Sequence, residues 1–136
     1  MPTTDAILLD THALLWWQAG SDRLSAVATA AIDAAARVLI SPISCWEVAM
    51  LVSRRRVSLD RAVTAWVQDL MTSQQVEVAQ LTPAIAVSAG ELDDFHGDPA
   101  DRLIYATAEA MGTRLVTKDS KLQDVAERLA TVSTVW

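Results

Sequence analysis

Five carboxylates in this chain stand where an α/β protein could do chemistry with them: Asp10, Glu47, Asp98, Asp101 and Asp119. Asp10 ends the apolar run Ile7-Leu8-Leu9, which reads as a strand buried on both faces, and a helical pattern with Leu14, Leu15 and Trp17 follows it. Glu47 falls in the first turns of a helix opened by Ser41-Pro42, after the short strand Val38-Leu39-Ile40. Asp101 lies in the first turn of a helix that begins at Asp98-Pro99, and Asp98, three residues earlier, shares its side of that helix start. Asp119 follows the strand Arg114–Thr117. Carboxylates gathered within about 6 Å repel and raise one another's pKa values. Divalent cations relieve that repulsion, and an all-oxygen set selects hard ions such as Mg²⁺ or Mn²⁺. No His or Cys joins the set at ligand spacing, which excludes a zinc reading.

Each acid also has a plain structural explanation. Asp10, Asp98 and Asp119 suit helix N-caps, Ser44-x-x-Glu47 matches a capping box, and Asp101 gains from the helix dipole. Singly these explanations are as good as chemistry. Together they weaken, because in a parallel sheet all of these junctions lie on the carboxyl edge, where ligands bind.

The positioning elements follow from punctuation and period. Ser25 caps a helix reaching Ala36; Ile43, Trp46, Met50 and Leu51 give the helix after Pro42 its apolar face; and Arg54-Arg55-Arg56 closes it. Ser58-Leu59-Asp60 starts a helix carrying Trp66 and Leu70, and Val76 and Val78 alternate as in a sheet-edge strand. Thr82-Pro83 opens a helix through Ala89, and 93–97 is a polar loop. The helix after Pro99 turns Leu103, Ile104, Thr107 and Met111 inward and ends at Gly112. Asp119-Ser120 begins a short helix, and 131–135 is the last strand. Strands alternating with helices predict an α/β fold with a parallel sheet covered on both faces.

The 136 residues fit one domain over 1–136, with 51% apolar residues and little Gly or Pro. No apolar run spans a bilayer and no basic n-region precedes an apolar stretch, so neither membrane insertion nor export is expected. Cys45 alone forms no internal disulfide, and a cytoplasmic protein is the expectation. The net charge of −6 argues against nonspecific phosphate-backbone binding; a nucleic-acid partner would need local cations.

The blocks Leu8-Leu-Asp-Thr-His-Ala-Leu-Leu-Trp16, Ser41-Pro-Ile-Ser-Cys-Trp-Glu47, Gly97-Asp-Pro-Ala-Asp-Arg-Leu-Ile-Tyr-Ala-Thr-Ala108 and Leu115-Val-Thr-Lys-Asp-Ser-Lys-Leu122 occur in family order over nearly the whole length. With them the chain resembles PIN-domain proteins, specifically VapC-type toxin ribonucleases of prokaryotic toxin–antitoxin pairs. The resemblance implies a three-layer α/β/α fold with a five-stranded parallel sheet of order 3-2-1-4-5. It implies an acidic quartet of Asp10, Glu47, Asp101 and Asp119, with Asp98 either an extra ligand or the helix cap. It implies Mg²⁺ or Mn²⁺, cleavage of single-stranded RNA, a cognate antitoxin and a homodimer.

Thr11 and Thr117 are candidates to orient the carboxylates, and Arg102, Lys118 and Lys121 to contact phosphates, although most such cations are merely solvated. Arg54–Arg56 reads as a helix end more than an RNA contact, His12 as structural or surface, and His96 as a solvated loop residue that could touch substrate. Trp16, Trp17, Trp46 and Trp66 read as core or interface rather than base-stacking residues, with one of the adjacent pair Trp16-Trp17 pointing away from the core. An aspartyl-phosphate phosphatase is the competing enzyme class, but it wants a second Asp two residues after the first, where this chain has His12. A receiver domain wants an acidic pair near the first strand, which is absent, and a noncatalytic module on the same fold would not need the quartet.

Overall fold

The computed structural model describes residues 6–93, 95 and 98–136. In chain order the elements are β1 (Ala6–Leu9), α1 (Thr11–Ala19), α2 (Ala26–Ala34), β2 (Arg37–Ile40), α3 (Pro42–Ser53) and α4 (Val63–Thr72), then β3 (Val76–Val78), α5 (Pro83–Gly90), α6 (Pro99–Met111), β4 (Arg114–Val116), α7 (Ser120–Leu129) and β5 (Thr134–Val135). The strands form one parallel sheet, as their alternation with helices predicts, and its order β3-β2-β1-β4-β5 is the one the family resemblance implies.

Strand alternation sorts the apolar residues into two layers. Ile7 and Leu9 of β1, Val38 and Ile40 of β2 and Val116 of β4 face Leu14, Ile32, Val48 and Trp66 from α1, α2, α3 and α4. Leu8, Leu39 and Leu115 face the other way, onto Ile104, Tyr105, Leu122 and Val125 of α6 and α7. Leu8 and Leu115 are wholly buried, so truncating either to Ala costs about 2–5 kcal/mol. β1 therefore lies at the centre of both layers, and the residue that follows it is held rigidly.

Caps set the element ends. Ser25 accepts from the Ala28 N–H (3.0 Å), Ser41 from Ile43 (3.2 Å) and Thr82 from Ile85 (3.2 Å). Gly112 closes α6 with φ of 64°, where a side chain would be strained.

Several boundaries and faces differ from the sequence reading. α2 stops at Ala34, and α4 starts at Val63 with no side-chain cap at Ala62, so the Ser58 cap signal is not used. β5 is limited to Thr134–Val135 because its partner β4 pairs only through Leu115 and Val116. The buried residues of α3 are Ser44, Glu47 and Val48, whereas Trp46 is 55% exposed. The physical reason is that α3 turns Ser44 and Glu47 toward α1, where Thr11 hydrogen-bonds to both. In α6, Met111 is exposed and the buried arc is wider than one stripe: Ile104, Tyr105 and Ala108 meet the sheet layer while Ala106 meets Ile85 and Ala89 of α5.

Candidate active site

Asp10 is the residue after β1, and the β1–β4 register pairs Leu9 with Val116, which sets Asp10 beside Thr117. The Asp10 N–H donates to the Val116 carbonyl (3.1 Å), extending the ladder by one residue. Its carboxylate is 6% exposed, and both oxygens are engaged: Oδ1 accepts from the Ala13 N–H (2.8 Å) as the cap of α1, and Oδ2 accepts from the Thr117 hydroxyl. Burial pushes the Asp10 carboxyl above the usual range, while the Thr117 and Ala13 hydrogen bonds pull it back. Thr117 Oγ1 in turn accepts from the Asp119 N–H (3.0 Å), and Asp119 Oδ1 caps α7 through the Lys121 N–H (2.8 Å). One threonine hydroxyl thus ties the end of β1 to the turn after β4.

Glu47 arrives from α3. It is 9% exposed and accepts a hydrogen bond from Thr11, whose Oγ1 also lies 3.0 Å from Ser44 Oγ. The capping box suggested by Ser44-x-x-Glu47 is not formed: Ser41 is the cap, and Ser44 and Glu47 face inward from the body of the helix. Burial raises the Glu47 pKa, opposed by the Thr11 hydrogen bond.

Asp98 caps α6, its Oδ1 accepting from the Asp101 N–H (2.9 Å). Asp101 stands in the first turn above it, its pKa pushed up to about 7 by partial burial first and then by Asp98, Asp119, Glu47 and Asp10. All five carboxylates line one cavity of about 640 Å³, together with Thr11, His12, Trp16, Arg23, Lys118 and Ser120. The capping explanation and the site explanation are therefore compatible: three of the acids cap helices with one oxygen and border the cavity as well.

The other sequence candidates divide. Lys118 reaches the cavity. Arg102 does not: its guanidinium donates to the carbonyls of Ala89 (3.0 Å), Phe95 (2.7 Å), Gly90 (3.1 Å) and Leu92 (2.8 Å), which makes it a strap for the α5–α6 connection rather than a phosphate contact. Lys121 is exposed beside α7's start, and Arg54 caps α3 with its backbone. His96 lies outside the described residues.

The side chains that line the cavity offer mainly carboxylate and hydroxyl oxygens. Among the described residues no three His, Cys, Asp or Glu side chains already form a closed ligand cage.

The PIN domain family model matches residues 7–128, a span that contains every one of these acids. The chain belongs to the PIN domain family. Ribonuclease VapC22 of Mycobacterium tuberculosis is 43% identical to it over 131 residues, covering 96% of this chain and 98% of that protein. Two solved structures share the fold. One is VapBC2 from Rickettsia felis, bound to a promoter DNA fragment: TM-score 0.66 at 17% identity, covering 95% of this chain and 96% of that one. The other is a toxin–antitoxin complex from Klebsiella pneumoniae: TM-score 0.65 at 21% identity, covering 94% and 96%.

Four residues of this PIN domain's cavity were not among the sequence candidates for it: His12, Trp16, Arg23 and Ser120, the last next to Asp119 at the start of α7. His12 and Trp16 are four apart on α1, so both turn toward the same side, a spacing visible in the sequence once the helix start is fixed at Asp10. Arg23 comes from the α1–α2 connection, and no sequence signal marks it.

Proposed function

We propose that this PIN domain, spanning 1–136, is a Mg²⁺- or Mn²⁺-dependent endoribonuclease that cleaves phosphodiester bonds in single-stranded RNA. It is the toxin of a type II toxin–antitoxin pair, held inactive by a cognate antitoxin. The observation that carries this reading is the convergence of five carboxylates on one cavity, with the Asp101 pKa pushed up to about 7 by partial burial first and by the other acids after it. The 43% identity to Ribonuclease VapC22 over almost the full length supports ribonuclease chemistry, and the likeness to toxin–antitoxin complexes supports the pairing.

The donor set fits the ion, with Asp10, Asp101 and Asp119 as the holding residues and Asp98 as the adjoining cap. When bound, the cation would neutralise the acids, lower the pKa of an attacking water and stabilise charge on the phosphate and the leaving 3′ oxygen. The chain's own part is positioning and proton handling. Thr117 and the α1 cap fix Asp10 in one orientation before substrate arrives. Thr11 holds one oxygen of Glu47, leaving the second to orient a water. Lys118 and Arg23 bring positive charge to the rim of an otherwise anionic cavity, where a phosphate must enter.

Trp46, exposed on α3, and the neighbouring helices of the N-terminal half supply an apolar surface for the antitoxin, and a separate face joins two copies of the chain as a homodimer. Cytoplasmic residence fits an RNA substrate; no helix of the described residues is long and apolar enough to cross a membrane.

The test is cleavage of end-labelled single-stranded RNA with Mg²⁺, with excess EDTA, and by Asp10→Asn. Cleavage with Mg²⁺ alone, lost in the other two, is the expected result. Equal cleavage in EDTA overturns the metal mechanism, and normal cleavage by Asp10→Asn overturns the site.

A further inference from the structure

The cavity holds more than acids. Trp16 borders it, on the same side of α1 as His12 and about 1.7 turns beyond Asp10. The indole is half-buried against the first core layer, and the Trp136 ring meets it edge-on at 5.7 Å and 61°, so its orientation is fixed from behind. The Lys118 ammonium lies over the ring at 5.9 Å, and Lys118 itself is exposed. Arg23 stands at the same rim and pairs with no carboxylate among the described residues.

We propose that the Trp16 indole is a stacking seat for a nucleobase next to the scissile phosphate, with Lys118 and Arg23 gripping the adjoining backbone. The proposal rests on the ribonuclease reading and gives it a base-binding subsite. Trp16 is six positions beyond Asp10, an axial rise of about 9 Å along α1, and both side chains border the same cavity. Single-stranded RNA is gripped by such means, since unstacked bases offer a π face to any aromatic residue. The lysine over the ring does not block the seat. A solvent-exposed cation–π contact is worth about 2- to 5-fold in an equilibrium constant, a base–aromatic stack about 5- to 150-fold. The base displaces the ammonium, and the freed ammonium is then beside the phosphate. The edge-on contact with Trp136 backs the indole on one side, which limits the ordering that binding requires.

The experiment measures affinity rather than turnover. Full-length Asp10→Asn protein with Mg²⁺ is titrated with a fluorescent single-stranded oligoribonucleotide that the unaltered protein cleaves at a mapped position. A set of the same oligonucleotide carries one abasic site at each position in turn. One position flanking the cleaved bond is expected to lose about 5-fold or more when abasic. Adding Trp16→Leu is expected to weaken the intact RNA about 5- to 150-fold, to leave the RNA abasic at that position almost unchanged, and to be largely rescued by Trp16→Phe. A flat abasic scan, which needs no change at Trp16, overturns the proposal. So does a Trp16→Leu protein that binds RNA like its parent, including the case where antitoxin binding is what weakens. Failure of the ribonuclease reading itself shows differently: the unaltered protein then cleaves no RNA.

Discussion

Replacing Arg102 separates two roles that the sequence leaves open. Its guanidinium spans four carbonyls at 2.7–3.1 Å, two at the C-terminal turn of α5 and two in the segment leading to Asp98. Helix-end carbonyls have no partners inside the helix, and a cation there also meets the negative end of the helix dipole. A hydrogen bond to a charged group contributes about 1.5–3 kcal/mol, but the side chain is only half-buried and water replaces part of what is lost. Arg102→Met is therefore expected to cost about 2–4 kcal/mol, or about 10 °C in Tm for a chain of this size. Arg102→Lys should do little better, because one ammonium on a flexible stem cannot reach four carbonyls at once. Thermal unfolding followed by circular dichroism, without RNA and in EDTA, gives the stability; salt-dependent RNA affinity gives the other role. An Arg102→Lys protein that melts within about 2 °C of the parent yet binds RNA more weakly would refute the strap and restore a phosphate contact.

Without metal, stability should fall as pH rises. Asp10, Glu47 and Asp101 all carry raised pKa values, so the native state holds more protons than the unfolded one, and the penalty grows from about pH 4 to about pH 7, where Asp101 ionises. Solvent in the open cavity screens the Asp101 share to on the order of 1–2 kcal/mol, a few degrees of Tm, and Mg²⁺ should restore more at pH 8 than at pH 5; a metal-free Tm that climbs over this range contradicts the charge cluster. Thr117→Val removes the hydroxyl between Asp10 and Asp119, and should lower kcat about tenfold or more with little change in KM; unchanged kcat would mean that Asp10 needs no such hold. Asp98→Ser keeps the α6 cap and should retain most cleavage, whereas Asp101→Asn should abolish it and raise the metal-free Tm; the reverse ranking would make Asp98 the ligand.

The fold was legible because its signals are local. Short apolar runs such as Ile7-Leu8-Leu9 and caps such as Ser25, Ser41 and Thr82 each name an element without reference to the others. The positions of the acids were legible for the same reason, being fixed by strand ends and helix starts. What was not legible depends on long-range packing. Trp46 looks like a core residue by type and spacing, and only the packing of α3 against α1, through Thr11, decides that Glu47 goes in and Trp46 out. Arg102 sits one residue from Asp101, and nothing in that adjacency says that its side chain turns back to α5. Trp16 and Arg23 joined the cavity through the placement of α1 and of its connection to α2.

The Thr117–Asp10 hydrogen bond joins residues 107 positions apart. The Ala13 N–H caps one oxygen of Asp10 as soon as α1 forms, but the other oxygen gains its hydroxyl only when β4 docks beside β1. Local folding therefore leaves Asp10 half-tethered, and a loosened β4 would release that carboxylate while α1 stayed intact.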